Sequence, residues 1–325
     1  MIATVSLPAA GLPVMTTLYI SHPAALDHLT PIGHPERPDR IRAIENALEQ
    51  ERFAPLLREP APMAEFESIA LAHTEAHVAA IRDACPREGL VRIDDDTVMS
   101  PGSYEAALRG AGGAILAVDE VMAGRATNAF VCMRPPGHHA EHARAMGFCL
   151  FNNAAIAARH AQRNLGAGRV AIMDWDVHHG NGTQDIFWSD RTVLYASTHE
   201  MPLYPGTGAA SERGEYGTVV NAPLHAGEGS EAFRAAMTRT VLPAIDAFKP
   251  DLLIISAGFD AHWRDPLASL NLTEADFDWA TTMLMELADR ACGNRIVSVL
   301  EGGYDLDALA RSSAAHVGAL MGHSS

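Results

Sequence analysis

One stretch limits the folds open to this chain more than any other. It is a short apolar run that ends abruptly in acids and histidines. Arg169-Val170-Ala171-Ile172-Met173 is rich in β-branched and other apolar residues, which reads as a buried strand. It passes directly into Asp174-Trp175-Asp176-Val177-His178-His179-Gly180-Asn181. Side chains on a strand alternate faces with a period of two. Extended backbone carried through this stretch would point Asp174, Asp176 and His178 the same way. Carboxylates and an imidazole converging from one strand end suit a divalent metal, and the mixed oxygen and nitrogen set favours zinc or a close relative. The plainer alternative is a polar loop with ordinary Asp turns and a solvated histidine. Acids and histidines packed this densely behind a buried strand argue against it.

The same pattern recurs along the chain. Ala129 to Met133 is a second apolar run, and it ends in Arg134-Pro135-Pro136-Gly137-His138-His139. Val193 to Ser197 ends in Ser197-Thr198-His199, Asp251 to Ser256 leads to Gly258-Phe259-Asp260, and Arg295 to Leu300 delivers Glu301-Gly302-Gly303-Tyr304. A first strand is expected at Thr16 to Ile20. Helical patterns lie between the runs. Pro38 opens one that carries Ile41, Ile44 and Leu48 on a single face. Tyr104 to Met122 and Ser230 to Phe248 read as helices. Asn152-Asn153 heads an Ala-rich helix that closes near Gly166, and Thr273 with Asp276 forms a capping box for a helix through Ala291. Strands alternating with helices predict an α/β fold: one domain over residues 1–325, with a mostly parallel sheet flanked by helices on both faces. In such sheets ligands bind beyond the carboxyl ends of the strands. Residues 134–139, 174–181, 256–260 and 301–304 all fall at such ends, so they are expected to share one site.

Other features are weaker. His73 and His77 lack a nearby carboxylate and read as structural. Asp94-Asp95-Asp96 reads as solvation, with a contact to a cationic substrate as the sharper alternative. Tyr204-Pro205-Gly206-Thr207-Gly208 is a rigid loop without the Lys-Ser/Thr of a phosphate loop. A net charge of −16 argues against an electrostatic nucleic-acid surface. The four cysteines form no CxxC pair, which favours a reducing, cytoplasmic setting. Met1 to Met15 has no basic segment of the signal-peptide kind, and no apolar run is long enough to span a membrane.

Taken in order, RPPGHH at 134–139, GFC at 147–149, DWDVHHGNG at 174–182, SAGFD at 256–260 and EGGY at 301–304 resemble the zinc-dependent histone deacetylase family. HPERPDR at 34–40 and YPGTG at 204–208 extend the likeness over most of the chain. The wider superfamily includes acetylpolyamine amidohydrolases and, more distantly, manganese arginases. Asn181 and the HPERP opening resemble the class II and bacterial branch.

The resemblance implies the arginase/deacetylase fold and one Zn2+ held by Asp176, His178 and Asp260. It implies His139 as general base oriented by Asn181, His138 as its electrostatic partner paired with Asp174, and Tyr304 as donor to the developing oxyanion. A narrow tunnel is implied along Gly147, Phe148, Tyr204, Leu267 and Gly302, with Arg37 beside an internal exit cavity. A structural monovalent cation such as K+ would sit at Asp174 and Ser197. The expected substrate is a small acylated amine or an acyl-lysine peptide, with neither nucleic acid nor membrane as partner and self-association left open. An acetylpolyamine amidohydrolase is the alternative within enzymes, and a non-catalytic acyl-lysine-binding module the alternative outside them. Leu267 follows the Asp265-Pro266 pair, where the eukaryotic polyamine branch carries an acid, and this favours an acyl-lysine substrate.

Overall fold

The computed structural model describes residues 15–323. The expectation for Met1 to Met15 therefore lies, Met15 apart, outside the described residues. The strands are β1 (Thr17–Ser21), β2 (Leu57–Pro60), β3 (Val91–Arg92), β4 (Val98–Met99), β5 (Asn128–Val131), β6 (Val170–Asp174), β7 (Val193–Glu200), β8 (Val219–Leu224), β9 (Leu252–Ala257) and β10 (Ile296–Leu300). Eight of them form one sheet in the order β2-β1-β5-β10-β9-β6-β7-β8, and every neighbouring pair is parallel. The short β3 and β4 pair separately and antiparallel.

The central strands β5, β6, β9 and β10 are buried along their whole length. Helices cover both faces of the sheet, so these strands read as continuous apolar runs without alternation. The edge differs. Strand β2 is exposed throughout and carries Arg58, Glu59 and Pro60, residues that discourage pairing with another chain. No apolar pattern marks it in the sequence. Strand β8 is the opposite edge and contains Pro223, a residue that argues against a strand unless it lies at an edge.

Chain order explains where the site forms. Strands β5 and β6 follow one another with a single helix, Asn153–Leu165, between them. In the sheet they are separated, and the later strands β9 and β10 fill the gap. The register is level: Asp174 pairs with Ser256, Ala257 with Leu300, and Val131 with Val299. Four polar segments from distant parts of the chain thus leave adjacent strands at one height.

The helix ends follow local chemistry. The Asn152 side chain accepts from the Ala155 N–H, and Gly166 closes the same helix at φ 73°. Thr273 and Asp276 form the expected capping box at the head of Glu274–Cys292. Such caps contribute about 1 kcal/mol each. The helix expected at Ser230 to Phe248 is interrupted. It runs as Ser230–Ala236, widens into a π turn at Met237–Val241 and resumes as Leu242–Phe248. Pro243 has no N–H and its ring conflicts with the preceding turn, and the wide turn absorbs that misfit. Among the described residues no helix is long and apolar enough to cross a membrane. All four cysteines are free thiols.

Candidate active site

Strand β6 ends at Asp174, and this corrects the geometry expected of the central stretch. Extended backbone does not continue to His178. Asp174 is fully buried and turns away from the other two ligand-type residues. Its Oδ2 lies 2.9 Å from His138 Nδ1 and accepts from the Tyr195 hydroxyl at 3.1 Å. Its Oδ1 accepts from the Asp176 N–H at 3.1 Å. Asp260, from the end of β9, joins Asp176 and His178 in its place.

Asp176, His178 and Asp260 are all buried, and their donor atoms lie within 4.8 Å of one another. His178 Nδ1 is 3.1 Å from Asp176 Oδ1 and 3.1 Å from Asp260 Oδ2. Backbone amides aim the carboxylates: Val177 N–H donates to Asp260 Oδ1 at 2.9 Å, and Gly302 N–H donates to Asp176 Oδ2 at 2.8 Å. Two glycines make room for them. A Cβ on Gly302 would lie 2.1 Å from Asp260 Oδ2, and one on Gly258 would lie 2.1 Å from Asp176 Oδ2. Gly302 therefore belongs to the seat of the carboxylates rather than to the tunnel wall where it was expected, because its backbone must approach both acids.

The electrostatics of this trio suit a cation. Among the described residues neither acid has a lysine or arginine partner, and isolated buried carboxylates are costly. Burial and the neighbouring Asp176 raise the Asp260 carboxyl, while the nearby His138 and His178, against the effect of burial, hold Asp176 low. His178, against the effect of burial, is pushed up to about 10 by the same two acids. Two carboxylates and one imidazole fit a divalent ion with at least one position left open.

The two histidines of RPPGHH adopt opposite states. Their rings are 4.1 Å apart between centroids. Burial works against charge on His138, but Asp174 at 2.9 Å and Asp176 at 3.7 Å outweigh it and raise its pKa well above the ordinary value. His139 has no such carboxylate partner. Burial first, then His138 and His178, drive its pKa well below the ordinary value. His139 Nδ1 lies 2.8 Å from Asn181 Oδ1, and Asn181 opens the short helix Asn181–Phe187. An amide oxygen accepts only, so His139 carries its proton on Nδ1 and leaves Nε2 with a lone pair.

The adjacent His179 faces elsewhere. Its ring lies 2.8 Å from Thr207 Oγ1 and 3.1 Å from Gln184 Oε1, and burial beside His199 and His138 lowers its pKa to about 3. Ser197, register partner of Asp174, places its hydroxyl 2.8 Å from His199 Nδ1. His73 and His77 contact the backbone carbonyls of Glu141 and Leu150.

A cavity of about 260 Å³ opens over these groups, lined by Asp96, His139, Gly147, Phe148, His178, Leu203, Tyr204, Leu267 and Tyr304. Phe148 holds a left-handed backbone, φ 68°, a conformation uncommon outside glycine and strained for a bulky residue. The 94–97 loop supports it: Phe148 N–H donates to Thr97 Oγ1 at 3.0 Å, and Gly147 N–H donates to Asp96 Oδ1 at 3.1 Å. Asp94 and Asp96 are therefore structured parts of the mouth, while the Asp95 side chain is fully exposed to solvent. Asp94 Oδ1 accepts from the N–H groups of Asp96 and Thr97.

Tyr304 closes the floor. Burial and the acids Asp260, Asp176 and Asp265 push its phenol well above the ordinary range, so it stays a donor. Arg40 lies over its ring at 5.0 Å. Arg40 is the interior arginine of the HPERPDR segment, donating to the carbonyls of Gly303 at 2.7 Å and Glu301 at 2.5 Å. Arg37, the residue expected at an internal cavity, is exposed and pairs with Asp39 at 3.6 Å. The reason is helical phase: Arg40 and Ile41 face inward on Asp39–Ala47, and Arg37 precedes that helix on the open side.

Several structural anchors escaped the sequence reading. Glu36 is fully buried and pairs with Arg134, Arg40 and His28. It ties the HPERPDR segment to RPPGHH. The Glu301 carboxylate accepts from Gly137 N–H at 2.7 Å and His138 N–H at 3.1 Å, and burial pushes its pKa up to about 7. The only sequence signal was that these charges stand inside otherwise rigid Pro- and Gly-rich motifs.

A sequence profile of the histone deacetylase domain matches residues 34–320. The chain belongs to the histone deacetylase family. Relatives in this family include chloroplastic histone deacetylase 14 of Arabidopsis thaliana, 40% identical over 95% of this chain and 77% of its own length. A probable deacetylase of Methanothermobacter thermautotrophicus is 41% identical over 94% of this chain and 91% of its own. A histone deacetylase-like amidohydrolase of Pseudomonas aeruginosa is 42% identical over 84% of this chain and 73% of its own. The crystal structure of the HDA15 HD domain superposes with a TM-score of 0.90 at 40% identity, covering 95% of this chain and 89% of that one. Histone deacetylase family membership and the parallel sheet agree with the arginase/deacetylase fold expected from the motifs, and support hydrolysis of amides.

Proposed function

We propose that the protein is a zinc-dependent deacylase that hydrolyses the amide of an acylated amine, with an acyl-lysine-type side chain as substrate. The observation that carries this reading is that His139, His178 and Tyr304 line one small cavity with aromatic and aliphatic walls. Asp176, His178 and Asp260 would hold the ion, and their mixed donor set favours zinc. When bound, such an ion polarises a carbonyl and lowers the pKa of water to about 7 in favourable sites.

The remaining work falls to side chains. His139, held neutral with Nε2 free, takes a proton from the attacking water and later returns it to the leaving amine. Asn181 keeps the proton of His139 on Nδ1 through both steps. His138 stays charged against Asp174 and discourages a second charge on His139 until the reaction supplies it. Tyr304 donates its O–H to the carbonyl oxygen as that oxygen gains charge. Phe148, Leu203, Tyr204 and Leu267 exclude water along an aliphatic chain.

A second reading keeps a specific support. Asp94, Asp95 and Asp96, with Arg144, Met146 and Tyr204, line a cleft of about 300 Å³ that shares Asp96 and Tyr204 with the cavity. Such a rim suits a cationic acetylpolyamine. A panel of acyl-lysine peptides and acetylated polyamines, with metal content measured on the same sample, separates the cases. We expect one zinc-class ion per chain and turnover of acyl-lysine. Zinc bound without turnover of any acylated amine would revive a non-catalytic binding module, and two manganese ions per chain would point to an arginase-like site.

A further inference from the structure

The group that orients Asn181 lies outside the motifs. Its amide is the one contact that sets the tautomer of His139, yet an amide has two nearly isosteric ends. Reversed, it would present N–H to His139 Nδ1, move the imidazole proton to Nε2 and remove the lone pair that faces the cavity. Something must forbid that reversal. Asn181 Nδ2 donates to Glu141 Oε1 at 2.8 Å, with Met146 Sδ as a weaker acceptor at 3.3 Å. An ionised carboxylate accepts only. Reversing the amide would set its oxygen against the Glu141 carboxylate at hydrogen-bond distance. Methionine sulfur is a poor acceptor and cannot impose this choice alone.

Glu141 is itself fixed in place. It stands two residues beyond His139 in the same loop, its N–H donates to the Arg144 carbonyl at 2.9 Å, and its carbonyl oxygen lies 3.0 Å from His73 Nδ1. It is partly buried. The His139–Asn181–Glu141 chain thus begins and ends in one turn and passes through the head of the helix Asn181–Phe187.

We propose that Glu141 is a positioning residue for catalysis: its carboxylate locks the Asn181 amide in the orientation that keeps His139 Nε2 unprotonated toward the substrate cavity. This rests on the reading of His139 as the base. Glu141 touches neither His139 nor the cavity wall, and it acts through Asn181 alone. Losses at such supporting groups are typically about 10–100-fold in activity.

The test exchanges donor and acceptor. Glu141→Gln is isosteric but lets the Asn181 amide sit either way, so kcat should fall in proportion to the His139 fraction that loses the Nδ1–H tautomer, about 2-fold for equal populations, with KM little changed. Asn181→Asp puts a carboxylate against the Glu141 carboxylate and should also lower kcat. The double variant Glu141→Gln with Asn181→Asp restores one hydrogen bond with its direction reversed, because the glutamine N–H now donates to a carboxylate that has only acceptor oxygens. Its kcat should exceed that of Asn181→Asp alone by about 10-fold. A merely structural glutamate predicts further loss instead. Two-bond 1H–15N spectra of histidine-labelled protein, with His139 assigned by difference from His139→Ala, give a readout independent of turnover and of the variants' stability. The wild-type protein should show the Nδ1–H tautomer, and Glu141→Gln a mixture. The proposal is overturned by an Nε2–H tautomer in the wild type, by unchanged kcat in Glu141→Gln, or by a double variant no better than Asn181→Asp. Failure of the underlying reading is distinct: His139→Ala would then keep near-normal turnover.

Discussion

The floor and the mouth of the cavity are built by different physics. The groups on the floor follow the ends of β5, β6, β9 and β10; Asp176 and Asp260 are held by backbone amides, His138 by a buried charge and His139 by the Asn181 amide. Gly302 N–H holds Asp176, Val177 N–H holds Asp260, and Glu301 holds the N–H groups of Gly137 and His138. The mouth is made of loops. Phe148 depends on side chains of the 94–97 segment, Tyr204 is 38% exposed, and Leu267 hangs from Asp265 through one 3.0 Å hydrogen bond. A floor built on strand ends and a mouth built from loops divide the labour between chemistry and selection. Substitutions should separate accordingly.

The largest effect belongs to the floor. Asp176→Ala or His178→Ala should lose the metal and turnover together, because each removes one of three ligands. Metal analysis beside an activity assay checks this, and a variant that kept a full ion per chain would show the ligand set to be misassigned.

Beneath the floor, the Glu36 network should govern stability. Glu36→Gln leaves Arg134 and Arg40 buried without their countercharge, and breaking a buried pair in this way costs about 3–5 kcal/mol. Urea unfolding measures it. The pH dependence has a definite sign. Burial raises the Glu36 carboxyl, but Arg134 and His28 outweigh it and hold the group well below the ordinary range. A depressed folded value contributes stability above the unfolded pKa of about 4.3, lost as pH falls through the folded value. The gap between wild type and Glu36→Gln should therefore be full at neutral pH and close only in acid. A gap that widened in acid would contradict an ionised Glu36.

Tyr304 stands where floor and mouth meet. Tyr304→Phe keeps the ring and its packing while removing one donor, so turnover should fall about 10²–10³-fold with metal content intact. Equal activity in the two proteins would remove Tyr304 from the oxyanion.

The same division explains what was legible in the sequence. Strand ends followed by Asp, His or Glu announce themselves, because a continuous apolar run that stops at a charge has few other uses in a sheet covered on both faces. Asp260 was readable on those grounds, and Tyr304 only through the resemblance of the EGGY motif. The direction of Asp174 was not: alternation sets it alongside Asp176, whereas β6 ends at residue 174 and Asp174 meets His138, the pairing that the motif resemblance alone implied. Phase defeated Arg37 and Arg40, since three residues of sequence do not say which lies inward when the helix begins between them. Glu141 carries no local sign at all, because its partner Asn181 lies forty positions away. Edge strands β2 and β8 were hidden by their own edge chemistry, Arg58 and Glu59 in one and Pro223 in the other.

The smallest effect lies at the mouth and concerns choice rather than rate. Leu267 follows Asp265-Pro266 and lines the cavity. Its N–H donates to Asp265 Oδ1, while the other oxygen of the same carboxylate accepts from Tyr304 N–H at 2.7 Å. The backbone at residue 267 is therefore tied to the loop of Tyr304, and its side chain can change without releasing that tie. An apolar leucine gives no partner to the distant ammonium of a polyamine and leaves it partly desolvated. The Asp94–Asp96 rim works in the opposite sense, but Asp94 and Asp96 already accept backbone and hydroxyl hydrogen bonds within the protein. We therefore expect wild-type protein to cleave acyl-lysine better than acetylspermidine or acetylputrescine. Leu267→Glu should raise activity on acetylpolyamines relative to acetyl-lysine by about tenfold, which is about 1.4 kcal/mol in transition-state terms. The ratio of kcat/KM values for the two substrates is the measurement. A wild-type enzyme already preferring acetylpolyamines tenfold would give selection to the acidic rim and take it from Leu267.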